Sequence, residues 1–133
     1  MFDSELTAKL TAATGMDALS HALEAYCANY FHPMAEGIAL EAIRLIKLYL
    51  PRATTDGTDI ESRAQVMVAS TMGVKAFQRC LGGMHALAHS LGALYNRHHG
   101  LLNAILMPYI LKANRLIIEE RIERLARYIE LKD

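Results

Sequence analysis

The sequence has no tryptophan, and only 7% of its 133 residues are aromatic. Its 53% hydrophobic content is therefore mostly alanine, leucine, isoleucine and methionine, a composition that favours helices over strands. Proline occurs only three times, so few positions interrupt a helix. These features predict an all-α fold, and the length is that of one domain with a substantial core.

Charge and apolar runs exclude several classes of protein. Fourteen basic side chains balance fourteen acidic ones, so nothing resembles the basic footprint of a nucleic-acid-binding protein. No uninterrupted apolar run approaches the roughly 20 residues that cross a bilayer. The N-terminus, MFDSELTAKL, lacks the apolar core of a signal peptide. We therefore predict a cytoplasmic protein that binds neither nucleic acid nor membrane.

Two further absences concern cysteines and phosphate sites. Cys27 and Cys80 lie far apart and form no CxxC pair, which predicts ordinary buried thiols in a reducing compartment. The chain has no GxGxxG and no GxxxxGK[ST] pattern. The sequence therefore contains no motif that would bind the phosphates of a nucleotide.

Periodicity and capping residues predict six helices. Thr14, with Asp17 three residues later, is typical of a helix start, and Thr58 with Glu61 repeats the pattern. Pro51 is expected to end the second helix. The predicted helices cover residues 14–29, 35–50, 58–77, 84–95 and 101–112, followed by a last one from 114, with a loop over 96–100.

Two patterns predict how these helices pack. Gly73 lies in the middle of the third helix, where glycine costs about 1 kcal/mol relative to alanine, so we expect another helix close by. The last helix carries charged side chains on one face and isoleucine or leucine on the other. The apolar face consists of Ile118, Ile122, Leu125 and Ile129.

Four of the six histidines fall within residues 82–100. His85 and His89 are four residues apart, so both imidazoles project from one face of a helix. Asp17 and His21 have the same spacing on the first helix. Helical bundles commonly build metal sites between such facing pairs, and a metal site is therefore one interpretation of these residues.

The loop after the fourth helix adds His98 and His99, which could fold over the same place. Neutral imidazoles with a carboxylate suit a borderline cation such as Fe²⁺ or Zn²⁺ better than Ca²⁺ or Mg²⁺. The remaining histidine, His32, lies outside these patterns and beside Pro33, and it is predicted to be exposed to solvent.

Simpler interpretations stay open on the residues alone. Asp17 could be only a helix cap, and His21 could be a hydrogen-bonded core histidine. Glu24, one turn beyond His21, could support a ligand or be a plain surface charge.

Two stretches carry a resemblance to a known family. TGMDALSHALEAY (14–26) resembles the metal-binding helix of the iron-containing (group III) alcohol dehydrogenases. GGMHALAHSLGALYNRHHG (82–100) resembles the same family's Gly-x-x-His-x-x-x-His-x-x-Gly stretch, which ends in His-Gly. ALEAIRLIKLYLPRA and LLNAILMPYIL resemble its connecting segments in order and spacing. The resemblance covers nearly the whole chain.

The resemblance implies a role for each matching residue. His89 would belong to the active site, near the substrate and the nicotinamide, and is thereby implied to be catalytic. His98 matches a variable position and is taken as a neighbour of the site. The implied metal ligands are Asp17, His21, His85 and His99.

The resemblance also implies a fold and a domain organisation. The chain, residues 1–133, would be a helical bundle like the C-terminal domain of the dehydroquinate synthase-like and iron-containing alcohol dehydrogenase fold. The family's N-terminal α/β domain, which binds NAD or NADP, is missing from this sequence, and the helical domain is expected to be truncated at its C-terminal end. We therefore expect the isolated chain to lack full activity.

The function implied is that of an oxidoreductase interconverting an alcohol with an aldehyde or ketone. Fe²⁺ would be the metal, with Zn²⁺ or another divalent ion as the alternative, and it would act as a Lewis acid on the substrate oxygen. A separate nucleotide-binding domain and a homo-oligomer are the expected partners. The alternatives are a non-catalytic metal-binding module and a structural remnant that self-associates.

Overall fold

The computed structural model describes residues 7–77 and 82–131, and these residues form six α-helices. None of the described residues belongs to a β-strand, which agrees with the predicted all-α fold. The helices are α1 (Ala8–Cys27), α2 (Pro33–Thr55), α3 (Ile60–Ala76), α4 (Gly83–Tyr95), α5 (His99–Ala113) and α6 (Arg115–Tyr128).

Helix α1 is the centre of the bundle. It packs along α2, α3 and α5 and also touches α4 and α6. Small side chains dominate this core, so neighbouring helices can approach closely. Tyr26, Ile46 and Met84 are its largest fully buried apolar side chains. The buried alanines include Ala18, Ala22, Ala25, Ala39, Ala42, Ala69 and Ala76.

The first helix begins earlier than the sequence pattern predicts. Its N-cap is Thr7, whose side-chain oxygen accepts a hydrogen bond from the Leu10 N–H at 3.4 Å. Thr14, the predicted N-cap, lies inside the helix, where its hydroxyl donates to the Leu10 carbonyl at 2.9 Å. The helix ends at Cys27 rather than at residue 29. The prediction of Thr14 as a cap was therefore wrong.

Two glycines mark helix contacts. A Cβ added at Gly15 would overlap the side chain of Leu50, so the absence of a side chain at this position of α1 lets Leu50 of α2 pack against the helix. A Cβ at Gly73 would lie 3.3 Å from the Ala18 carbonyl oxygen. The close helix contact predicted at Gly73 is confirmed.

Helix α2 continues through Pro51, contrary to the prediction. It starts at Pro33, because a proline fits the first turn, where its missing N–H would have no partner inside the helix. Leu50 and Ala53 are buried on either side of Pro51, and this packing offsets the hydrogen bond that the proline cannot donate. The helix then ends at Thr55.

Helix α3 is capped by Asp59, one residue after the predicted Thr58. The Asp59 carboxylate accepts from the Ser62 N–H at 2.9 Å and from the Ser62 hydroxyl at 2.7 Å. Thr58 instead donates its hydroxyl to Asp56, which stabilises the preceding turn.

Helix α6 is attached to the bundle by polar contacts and by its apolar face. The Tyr26 hydroxyl donates to the Arg121 carbonyl at 2.9 Å, and the Arg121 guanidinium donates to the Tyr26 carbonyl at 3.1 Å. The ammonium of Lys47 donates to the Ile129 carbonyl. Ile118, Leu125 and Ile129 are buried and Ile122 packs against the core, as predicted.

Helices α5 and α6 meet near Asn114 at a bend of 111°. Pro108 lies within α5. No single helix in the described ranges has the length and apolar character needed to span a membrane, and only the bent pair α5 and α6 passes that test together.

Cys27, at the end of α1, is a free and partly buried thiol, and burial raises its pKa to about 11 from the ordinary 9.0. Cys80 lies outside the described residues, and its burial stays a prediction.

In a Cys80→Ser variant, where Cys27 is the sole thiol, we expect iodoacetamide at pH 8 to react about 100-fold more slowly than with an ordinary cysteine, because the thiolate is scarcer. Mass spectrometry over time measures this rate, and the urea-unfolded variant is the control. Equal rates in the folded and unfolded states would contradict it.

Candidate metal centre

Helix α1 presents a line of three polar side chains to α4 and α5. Asp17, His21 and Glu24 follow one another at intervals of four and three residues, which places them on one face of the helix. Glu24 is buried, whereas Asp17 and His21 are partly accessible. A carboxylate, an imidazole and a second carboxylate therefore line the side of α1 that faces the histidine-rich helix.

Glu24 takes the place of a local cap for helix α4. The N-cap residue Gly82 offers no side chain, and the Glu24 carboxylate accepts from the Gly82 N–H at 3.1 Å and the Met84 N–H at 2.7 Å. A Cβ at Gly82 would lie 2.5 Å from this carboxylate, so the absence of a side chain at Gly82 permits the contact. The start of α4 is thus fixed by a residue of α1.

Glu24 also orients His85. Its Oε2 lies 2.6 Å from Nδ1 of His85, whose side chain is only 1% exposed. Burial acts to raise the pKa of Glu24, but the hydrogen bonds from His85 and the α4 backbone outweigh it and hold that pKa below its usual value. A carboxylate paired with Nδ1 leaves Nε2 as the acceptor, a pairing common behind metal-bound histidines. Glu24 is therefore a partner of His85 and not a surface charge.

The turn between α4 and α5 brings His99 back over α1. Asn96 adopts the left-handed conformation, φ 48°, which asparagine tolerates better than most residues. Helix α5 then begins at His99, so the predicted loop over 96–100 is shorter than expected. Gly100 lies so close to α1 that a Cβ there would overlap the Ala13 carbonyl oxygen. His99 thereby projects from the first turn of α5 towards Asp17.

Three of the four predicted ligands form one cluster. Asp17, His21 and His85 each offer a ligand atom, and these atoms lie within 4.8 Å of one another. The rings of His21 and His85 have centroids 4.4 Å apart. His99 stands outside this group of three, but its Nε2 is 3.4 Å from Asp17 Oδ1. The structure therefore brings all four residues to one place between α1, α4 and α5.

The other histidines lie away from this cluster or at its edge. His89 is exposed, and its ring centroid is 4.7 Å from that of His99 and 6.3 Å from that of His85. His98 is exposed at the N-cap of α5, and His32 is exposed at the N-cap of α2, as predicted. His89 thus borders the cluster from the solvent side.

Burial affects the charge of two of the imidazoles. Desolvation lowers the pKa of His21 below its ordinary 6.5, and the nearby His85 and His99 act in the same direction against Asp17. The pKa of His99 is lowered for the same reason, with His89 as an additional neighbour. Both shifts favour the neutral imidazole, the state in which nitrogen can bind a metal.

Asn103 is a residue of this cluster that the sequence patterns did not identify. It is fully buried, and its side-chain N–H donates to Asp17 Oδ1 at 2.7 Å. The same nitrogen lies 3.1 Å from Nε2 of His99 and 3.2 Å from Nε2 of His85. Asn103 follows His99 by four residues on α5, and that spacing is the one signal in the sequence that could have indicated it.

The donor set fits a divalent cation of the Fe²⁺ or Zn²⁺ type. It combines three imidazoles and one carboxylate, and the oriented Nε2 of His85 faces Asp17 Oδ1 at 3.8 Å. One of the imidazoles is also held by a buried carboxylate, a support typical of metal sites.

Comparison with known proteins identifies the family. The sequence model of the Fe-containing alcohol dehydrogenase family, C-terminal, matches residues 11–133. The chain belongs to the iron-containing alcohol dehydrogenases. The family predicted from the two motifs is therefore confirmed, and with it the class of oxidoreductase to which the relatives belong.

Individual iron-containing alcohol dehydrogenases agree in sequence and in fold. The chain is 43% identical to the 4-hydroxybutyrate dehydrogenase of Cupriavidus necator, across 98% of this chain and 38% of that protein. It is 40% identical to the NAD-dependent methanol dehydrogenase of Bacillus methanolicus, across 96% of this chain and 35% of that protein. A crystal structure of 1,3-propanediol oxidoreductase superposes with a TM-score of 0.93 at 38% identity, across 97% of this chain and 34% of that one.

These comparisons also confirm the predicted fold, since the helical bundle matches the corresponding part of the solved dehydrogenase. The chain spans about a third of the length of the relatives it matches.

Proposed function

We propose that this chain is the metal-binding part of an alcohol dehydrogenase that interconverts an alcohol and its aldehyde or ketone with NAD or NADP. The convergence of Asp17, His21 and His85 within 4.8 Å carries the proposal. Membership of the iron-containing dehydrogenases supports it. The relatives named for 4-hydroxybutyrate, methanol and 1,3-propanediol favour a small alcohol or aldehyde as the substrate.

We assign Asp17, His21, His85 and His99 as the residues that would hold Fe²⁺, with Zn²⁺ or another divalent ion as the alternative. A bound divalent ion supplies Lewis-acid chemistry, polarising the oxygen of an alcohol or carbonyl group. The chain's contribution is to bring one carboxylate and three imidazoles together and to fix the ring of His85 through Glu24.

We assign His89 to the catalytic side of the site. Its exposed imidazole lies one helical turn from His85, within reach of a substrate entering from solvent. Such a group can orient the substrate and exchange a proton with solvent near the reacting oxygen. The nicotinamide would be bound by a nucleotide-binding α/β domain on a separate part of the enzyme.

Self-association and a cytoplasmic location stay predictions. The apolar side chains of Phe31 and Leu116 are 95% and 94% exposed, which supports docking to another domain or to a second copy. A nucleotide-binding partner and a homo-oligomer would both cover such surfaces.

Calorimetric titration of metal-free protein with Fe²⁺ under anaerobic conditions, and then with Zn²⁺, tests the metal assignment. We expect one ion per chain with a dissociation constant in the micromolar range or below, and we expect His85→Ala to abolish this binding, because His85 is the buried ligand. The matched control is His98→Ala, which removes an exposed imidazole next to His99 and should leave the affinity unchanged.

Metal binding without turnover after the nucleotide-binding part is supplied would favour the non-catalytic binding module. A folded, self-associating chain that binds neither ion would favour the structural remnant and contradict the proposal. Equal loss of affinity in His98→Ala and His85→Ala would contradict the choice of ligands.

A further inference from the structure

The side chain of Asn103 lies at the point where the ligand atoms meet. Its amide nitrogen is within 3.2 Å of three acceptors on three different side chains: Asp17 Oδ1, His85 Nε2 and His99 Nε2. The residue is completely buried, and its amide oxygen has no hydrogen-bond partner among the described residues. A buried acceptor without a partner costs free energy, so Asn103 is poorly explained as a residue that serves packing alone.

An amide nitrogen in this position resembles a cation in its effect on the acceptors. It carries two hydrogens with partial positive charge, so it can donate one to the Asp17 carboxylate and share the other between the two imidazole lone pairs. Without such a donor, three acceptors facing one another would repel and separate. Asn103 therefore counteracts the tendency of the metal-free site to open.

We propose that Asn103 is a positioning residue of the metal centre, which keeps Asp17, His85 and His99 in place without metal and releases both imidazoles when a divalent cation enters. This inference rests on the metal-binding function proposed above. Each Nε2 has a single lone pair, so an imidazole cannot accept from Asn103 and bind a cation at once. A carboxylate oxygen has a second lone pair, so the hydrogen bond from Asn103 to Asp17 persists.

The affinity of variants is the first test. We expect Asn103→Ala and Asn103→Leu to bind Zn²⁺ about 10–100-fold more weakly than the wild type in calorimetric titrations, as for other residues that support metal ligands. Asn103→Leu keeps most of the side-chain volume, so it separates the loss of the donor from the loss of packing. Circular dichroism and thermal unfolding establish that each variant is folded.

Asn114→Ala is the matched control. Asn114 lies at the end of the same helix, is exposed, and donates its side-chain N–H to the Ile110 carbonyl. Removing it changes an asparagine of α5 away from the ligands, and the Zn²⁺ affinity should stay at the wild-type value. Wild-type affinity in both Asn103 variants would overturn the proposal.

A second test uses the wild-type protein and does not depend on the folding of a variant. In NMR spectra, the side-chain amide signals of Asn103 should shift when one equivalent of Zn²⁺ is added, while those of Asn114 stay in place. In metal-free protein, long-range ¹H–¹⁵N spectra should show Nε2 of His99 as an unprotonated acceptor, and this signal should change in Asn103→Leu. An unchanged Asn103 amide in a Zn²⁺-saturated sample would overturn the inference.

Failure of the inference differs from failure of the proposed function. If the wild type binds Zn²⁺ and the Asn103 amide signals do not shift, the proposed metal site is retained and the proposed role of Asn103 is wrong. If the wild type binds no divalent ion, the proposed function and the metal-dependent release both fail. An unchanged His99 signal in metal-free Asn103→Leu would overturn the holding role as well.

Discussion

Replacing Glu24 with alanine should lower the free energy of unfolding of the metal-free chain by about 3–5 kcal/mol. The variant would leave the Gly82 and Met84 N–H groups and Nδ1 of His85 without their acceptor. Met84 and His85 are almost fully buried, so water cannot replace the lost hydrogen bonds without opening the start of α4. Urea denaturation in the presence of a chelator measures the change.

Two further substitutions, Glu24→Gln and Glu119→Ala, test this prediction more closely. Glu24→Gln keeps the shape and one acceptor, so we expect a smaller loss of stability but about 10–100-fold weaker Zn²⁺ binding, because the ring of His85 is no longer held by a carboxylate. Glu119→Ala removes a carboxylate from an exposed ion pair with Arg115 and should cost about 0–1 kcal/mol. A Glu24→Ala variant as stable as Glu119→Ala would contradict the role given to Glu24.

Gly100→Ala should separate α5 from α1 and disturb the site at the same time. The added Cβ would overlap the Ala13 carbonyl oxygen and lie 3.1 Å from the Cβ of Asp17. The obstacle at Ala13 is backbone, which cannot rotate away, so the helices must move apart at a cost of about 1–3 kcal/mol or more. His99 precedes Gly100 and would move away from Asp17, so Zn²⁺ affinity should fall together with stability.

Gly37→Ala is the matched control for this variant. Gly37 lies in α2, is exposed, and a Cβ there would meet no atom within 4 Å. Alanine is the better helix former, so we expect this variant to gain about 0.5–1 kcal/mol and to bind metal normally. Thermal unfolding of the two variants compares them directly, and a change of the same sign in both would contradict the close approach at Gly100.

Local patterns predict much of the bundle because composition favours helices along the chain and because some apolar and glycine positions indicate packing. The buried side of α6 and the contact at Gly73 follow from spacing and glycine chemistry alone. Helix ends are predicted less well where packing overrides a local signal. Thr14 followed by Gly15 is typical of a helix start, but both lie inside α1, where the missing side chain of Gly15 leaves room for Leu50. Pro51 stays inside α2, where the nearby residues Leu50 and Ala53 are buried.

The candidate site shows the same limit. Helical spacing predicts that Asp17 and His21 lie on the same face of α1. The resemblance to the family predicts which side chains come together at the metal site. Sequence alone cannot show that Glu24 lies against the start of α4, because His85 is 61 positions further along the chain. Asn103 carries no charge and fits no metal motif, so its place among the ligand atoms became visible only in three dimensions.

The most direct test of the metal centre is an anomalous diffraction map from crystals grown with Zn²⁺ or, without oxygen, with Fe²⁺. We predict one strong peak per chain, at about 2.0–2.2 Å from the carboxylate of Asp17 and from ring nitrogens of His21, His85 and His99. A peak held by other side chains, or no peak among these four in well-ordered crystals soaked at saturating metal, would contradict the assignment.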